Sequence, residues 1–270
     1  MRPETETRGG ARPRPAAPRP AAPRRSWARR WLPDQHGAWA MLAVPFLVGV
    51  LLAPRPRPAH AALFGAWLLG YVAVFHGQQW LRLRRHSRNP RAAGRHLRPG
   101  LVFGAACALL ALPLAVLHPW LLWAGAAAAP CVAVNTYAAR QNRERALWNG
   151  LAAVVPACGM LLVALRLGGG DLADGWRAAL ACLLYFGGTV PYVKTMIRER
   201  NSPAWRRASV AYHAVALVAA AWLSPWLALP FALYLARAAL LPGRGLKPPL
   251  VGAAELTASA LLLTTLLLTF

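Results

Sequence analysis

The chain has 270 residues, 57% of them hydrophobic and only 14% charged, and the apolar residues come in long unbroken runs. A soluble core needs polar faces at helical or strand period, so these runs exclude a soluble domain and define an all-α, polytopic transmembrane helix bundle. The 31 Lys+Arg against 8 Asp+Glu give a formal net charge of +23. Nucleic acid is excluded as a partner because the cations lie in short loops between apolar runs, where orientation in a membrane accounts for them.

Residues 1–30, "MRPETETRGGARPRPAAPRPAAPRRSWARR", are low in complexity and cannot bury a core, which predicts a disordered basic arm. The arm is too long and Pro-rich for a signal-peptide n-region, and no small-residue cleavage site follows the first apolar run. That helix is therefore expected to stay as an anchor. Residues 31–270 form the transmembrane domain. About 20 apolar residues cross the hydrocarbon, and nine such helices are expected near 36–53, 60–81, 100–117, 120–139, 146–166, 176–195, 205–223, 225–241 and 250–269. The polar turn "ARQNRERA" makes the fourth and fifth an antiparallel hairpin. The eighth is short and carries Pro230, which leaves its ends open.

With the N-terminus inside, 27 of the 31 Lys+Arg fall on the cytoplasmic side, and only Arg55, Arg57, Arg166 and Arg177 fall outside. This split predicts a protein of the bacterial cell membrane with its N-terminus cytoplasmic and its C-terminus outside. Cys107, Cys131, Cys158 and Cys182 lie inside apolar runs without CxxC spacing and read as small buried hydrophobes. No metal and no cofactor is expected.

On this topology the unusual polar residues collect near the inner face. Asp34, Gln35 and His36 open the first helix, with Asp34 placed to cap it. His76, Gln78 and Gln79 close the second. Asn135 and Tyr137 lie late in the fourth, and Asn142, Glu144, Arg145 and Asn149 bracket the turn into the fifth. Asn142, Arg145 and Asn149 stand at i, i+3 and i+7, the spacing of one helix face. Tyr192, Lys194, Arg198, Glu199 and Arg200 end the sixth, Tyr212 and His213 lie in the seventh, and Glu255 lies a turn or so into the ninth. Capping, interfacial anchoring and snorkelling are the ordinary structural roles for such residues. Deep ionisable groups such as His213 and Glu255 need a partner or a cavity, and a buried Glu255 beside an Arg or a protonated His would be a satisfied pair.

The candidate ligand-binding set is therefore His36, His76, Gln79, Asn135, Tyr137, Asn142, Arg145, Asn149, Tyr192, Lys194, Arg198, His213 and Glu255. It is expected around an inward-facing polar cavity. Three lone histidines, His36, His76 and His213, raise a metal or haem site, but they lack local ligand spacing such as HxxxH.

"PDQHGAWAMLAVPFLVG", "VNTYAARQNRERALWNG" and "YVKTMIRERNSPAWRRASVAYH" resemble the YwiC-like family of bacterial membrane proteins over about residues 31–270. The family tends to have acidic residues at the turn and at the end of the second motif, where this chain has Arg143 and Gly150. A more distant resemblance is to the UbiA-type intramembrane prenyltransferases, carried by "RNPRAAGRHLRPG" and "TYAARQNRER". It implies nine helices with chemistry at the cytosolic side. Those enzymes hold diphosphate through Mg²⁺ on two Asp-rich motifs. Here the corresponding places read "HGQQWLRLRRHSRNPR" and "YVKTMIRER", in which Glu199 is the sole carboxylate. Mg²⁺ requires hard oxygen ligands, so Mg²⁺-dependent transfer is not expected, and a cationic site would hold an anionic head group directly.

The function expected is binding of an anionic lipid or isoprenoid, with membrane lipids as partners and any catalysis left open. A small-solute transporter is the alternative, though the halves show no convincing repeat, and a scaffold for a partner protein is a further one.

Overall fold

The computed structural model describes residues 31–33 and 36–270, without the side chains of His36 and Pro90. The arm expected at 1–30 and the cap expected at Asp34 lie outside the described residues. From His36 on there are nine α-helices: α1 His36–Leu52, α2 Pro58–His86, α3 Pro90–Leu117, α4 Leu121–Arg140, α5 Leu147–Leu167, α6 Leu172–Ile197, α7 Pro203–Leu223, α8 Ala228–Leu240 and α9 Pro248–Thr269. A short 3₁₀ turn, Pro225–Leu227, precedes α8. No strand occurs among the described residues.

Local chemistry sets the helix starts. Pro58, Pro90, Pro203 and Pro248 stand at the start of their helices, where the missing N–H costs nothing. Asn89, Asp171 and Ser202 cap the helices that follow by accepting from Arg91 N, Ala173 N and Trp205 N. Of the nine crossing helices expected, six (α2, α3 from Arg91, α4, α5, α6 and α9) are long and apolar enough to cross a membrane, α1 and α8 are shorter apolar helices, and α7 belongs to neither group.

Two helix bounds and one helix face differ from the sequence expectation. The third helix begins at Pro90 rather than near residue 100, because the Asn89 cap and Pro90 start a helix across the polar stretch "PRAAGRHLRP". The second helix runs on to His86 through Arg82, which pairs with Glu144, and through Arg84 and Arg85, whose long side chains keep their charges in water while the backbone stays helical. Asn142, Arg145 and Asn149 do not share a helix face. The helix ends at Arg140, Asn142 takes φ +55° in the turn, and α5 starts only at Leu147.

Helix α1 packs on α5 and α9, α2 packs along α3, and α5 through α8 pack in sequence. The main core joins α1 and α5 to α9 through Val48, Leu161, Cys182, Phe186, Ala220, Leu227, Phe231 and Leu262. A second cluster, with Phe46, Leu63, Leu114, Met160 and Ala164, ties α1, α2, α3 and α5. Helix α1 lies close to α5 because Gly49 faces the Leu161 carbonyl, and an added Cβ would overlap that oxygen.

The alternating helices give the bundle two unlike ends. At one end Arg55 N donates to Gly168 O, with Arg57, Arg166 and Arg177 nearby in the chain. The remaining described Lys and Arg lie at or toward the opposite end.

Candidate functional site

Two polar networks and one apolar groove are the places where this fold departs from plain packing. The first network stitches α2, α4 and α5 at the basic end. Gln79 Nε2 donates to Glu144 Oε1 at 2.9 Å, and Arg82 Nη1 to Glu144 Oε2 at 2.6 Å. Asn135 Nδ2 donates to both Asn149 O and Asn149 Oδ1, and Asn149 Nδ2 donates to Glu144 O. Glu144 is thus the acceptor around which the α4–α5 turn is organised. One turn before Gln79, the buried His76 Nδ1 meets His96 Nδ1 of α3 at 2.9 Å, so one ring donates and the other accepts. His76 also stacks on Phe103.

The second network lies between α6, α7, α8 and α9. Arg237 Nη1 donates to Glu255 Oε1, and both side chains are about nine-tenths buried. The guanidinium carbon lies 4.2 Å from the Tyr192 ring centre, 5.6 Å from that of Tyr234 and 5.9 Å from that of Tyr185. Tyr185 donates to Glu255 O, Ser259 donates to the same carbonyl, and Tyr234 donates to Ala258 O. His213 is buried, bonded through Nδ1 to Ser209 O at 2.7 Å, with its ring edge-on to Tyr192.

The sequence-predicted residues therefore divide. His76, Gln79, Asn135 and Asn149 belong to the first network or the histidine pair beside it, and Tyr192, His213 and Glu255 to the second. Tyr137 is exposed on a shallow apolar surface with Trp148. Asn142 and Arg145 are exposed in the turn. Lys194 sits over the Trp205 ring at 4.3 Å. Arg198 is exposed at the end of α6, and partial burial followed by the neighbouring Arg145 cation lowers its pKa from the ordinary arginine value. The side chain of His36 is outside the described residues. His76 and His213 lie in different networks, and no three His, Cys, Asp or Glu converge among the described residues in a way that would hold a metal ion. Arg237, His96, Tyr185 and Tyr234 were not singled out from the sequence. A lone Arg in an apolar run was the signal for Arg237.

The groove lies among the helices of the first network and α3. It has a volume of about 1090 Å³ and is walled by α2, α3, α4 and α5, with Leu63, Trp67, Leu114, Cys131, Gly159 and Val163 among its lining. Its outer lip includes Leu122, Trp123 and Val155, all exposed. Trp120 and Arg166 line its end and also line a neighbouring polar pocket of about 260 Å³, together with Arg57, His118, Gly169 and Gly170. The mouth is built rigidly. His60 is buried and receives Arg57 N–H on Nδ1 at 2.9 Å, which leaves Nε2–H to donate to Ala164 O at 2.9 Å. Gly168 closes against Ala53 and the Arg55 carbonyl, where a Cβ would not fit, and Gly169 turns at φ +88°. Arg166 lies over the Trp120 ring at 5.7 Å.

An all-helical bundle with six helices long and apolar enough to cross a membrane fits a membrane protein. Residues 32–165 match the model of the YwiC-like protein family. Over 199 residues the chain is 36% identical to the uncharacterized protein YwiC of Bacillus subtilis (strain 168), covering 71% of this chain and 79% of that one. Over 249 residues it is 33% identical to an uncharacterized protein of Haemophilus influenzae, covering 87% and 97%. The chain belongs to the YwiC-like family. No solved structure matches it.

Proposed function

We propose that this protein binds an amphiphile with an apolar chain and a phosphate-bearing head, the chain lying in the α2–α5 groove and the head in the polar pocket at its mouth. One observation carries the reading: Trp120 and Arg166 belong to both cavities, so a greasy slot opens directly onto a cationic one. The slot suits hydrocarbon because its described walls are almost wholly apolar. The mouth suits phosphate because Arg57 and Arg166 present guanidinium groups and His118 a further donor. By the distribution of Lys and Arg, the basic end faces the cytoplasm of a bacterial membrane, and the groove then draws its ligand from the outer leaflet.

This placement puts the head group at the opposite end from the inward-facing cavity expected from the sequence. An isoprenoid phosphate and an acyl-chain phospholipid share the required chemistry. The distant resemblance to UbiA-type enzymes adds the idea of an isoprenoid, and no Mg²⁺ chemistry is inferred because the two corresponding stretches lack paired carboxylates.

The test is lipid extraction from the purified full chain, comparing wild type with Arg57→Ala/Arg166→Ala. Wild type should carry a phosphate-headed lipid that the double variant loses while its fold is retained. Equal lipid content in the two proteins would contradict a cationic head-group site.

A further inference from the structure

Arg237 is held by Glu255 through one nitrogen only. Its Nε and Nη2 are buried and have no hydrogen-bond partner. The same holds for the hydroxyl of Tyr192, a fully buried residue whose ring lies 4.2 Å from the guanidinium carbon. The hydroxyl of the buried Ser209, a turn before His213, is also unpartnered. Polar groups left unpaired in a dry interior cost free energy, and a guanidinium edge costs more than a neutral donor. The Nε–Nη2 edge is a planar two-pronged donor, and its natural complement is a carboxylate or phosphate.

We infer that Arg237 and Tyr192 form a buried oxyanion-binding site, separate from the groove, that takes a carboxylate or phosphate group on the free edge of the guanidinium. Three tyrosine rings and Glu255 fix the guanidinium, and its free edge has no water-sized space beside it, so an anion reaches it only when the α8–α9 connection moves aside. The site lies beneath the α8–α9 connection at the basic end. There Leu241 and Leu246 pack on the cluster of Tyr192, Met196, Ala238 and Val251. Arg200 ties the connection down by donating to Met196 O and Leu246 O. Gly243 and Gly245 both take positive φ there, which shapes the strap. Arg244 and Lys247 in the strap, with Arg200 beside it, give the approach a positive potential that favours anions over cations.

The experiment uses the full-length protein in detergent and titrates sodium phosphate, sodium acetate or short-chain phosphatidic acid against sodium chloride at matched ionic strength. Wild type should show a saturable rise in melting temperature of about 3 °C or more with at least one oxyanion. A rise with phosphatidic acid alone would assign the site to a lipid head group, and a rise with phosphate or acetate to a free anion. Arg237→Lys keeps a cation for Glu255 but loses the two-pronged edge, and should abolish the rise. Should Arg237→Lys fail to fold, Tyr192→Phe removes only the hydroxyl and should shift the titration midpoint about tenfold. A wild-type response no larger than with chloride, or the same response in wild type and both variants, would overturn the proposal. Because the groove mouth would answer phosphate and phosphatidic acid as well, all these titrations are made in the Arg57→Ala/Arg166→Ala background, where the rise should persist and Arg237→Lys or Tyr192→Phe should still remove or shift it.

Discussion

Arg237 of α8 reaches across to Glu255 of α9, and their side chains are 9% and 10% exposed. Such a pair has little to gain over apolar residues of the same size, since each ion loses its hydration. Removing one partner strands the other. Arg237→Ala or Glu255→Ala should each cost about 3–5 kcal/mol of stability. The double replacement Arg237→Met/Glu255→Leu should recover most of that loss. Unfolding curves of the three variants in one detergent check this, and a double variant as unstable as the worse single would contradict it.

Small residues matter unequally, and the geometry says where. A Cβ on Gly49 would overlap the Leu161 carbonyl, a backbone atom that cannot step aside. Gly49→Ala should therefore push α1 off α5 and cost about 1–3 kcal/mol. Gly125 and Gly159 have nothing within 4 Å of an added Cβ. Gly125→Ala and Gly159→Ala should be neutral or raise stability by up to about 1 kcal/mol through helix propensity. Melting temperatures of the three alanine variants would decide it, and a cost at Gly125 equal to that at Gly49 would count against this packing.

Much of the fold was legible because membrane helices are set by length and apolarity, which sequence carries locally. The nine helices and the α4–α5 hairpin were legible in this way, although six of the nine, not all, are long and apolar enough to cross a membrane. The start of α3 was missed because hydropathy is blind to a polar helical turn, although Asn89 followed by Pro90 is a start signal in its own right. Glu255 was legible as a group needing a partner, and an Arg is that partner. From the sequence Arg237 reads only as one of the cytoplasmic-side cations. It lies 18 residues away in the chain, and only the packing of α8 on α9 brings the two together. The groove was not legible at all. Its walls are ordinary apolar residues from four helices, and a cavity is a property of how they fail to close.

The two ends of the bundle make a topological prediction. Reporter fusions truncated after Gly169 and after Gly245 should report opposite sides of the membrane, outside and cytoplasmic respectively, as the distribution of basic residues requires. Matching sides would mean that the two ends do not lie across a bilayer, and the groove would then lose its assignment to the outer leaflet.

The most direct test of the groove is to fill it. Gly159 lines the slot with open space before it, so Gly159→Leu should place a side chain where the hydrocarbon would lie without forcing the helices apart. Native mass spectrometry of wild type and Gly159→Leu with farnesyl phosphate, a diacyl phosphatidic acid and farnesol measures chain and head together. The account predicts saturable binding of at least one phosphate-bearing ligand to wild type, with farnesol bound more weakly. It also predicts at least a tenfold loss in Gly159→Leu at an unchanged melting temperature. Equal binding to both proteins, or equal binding of farnesol and farnesyl phosphate, would contradict it.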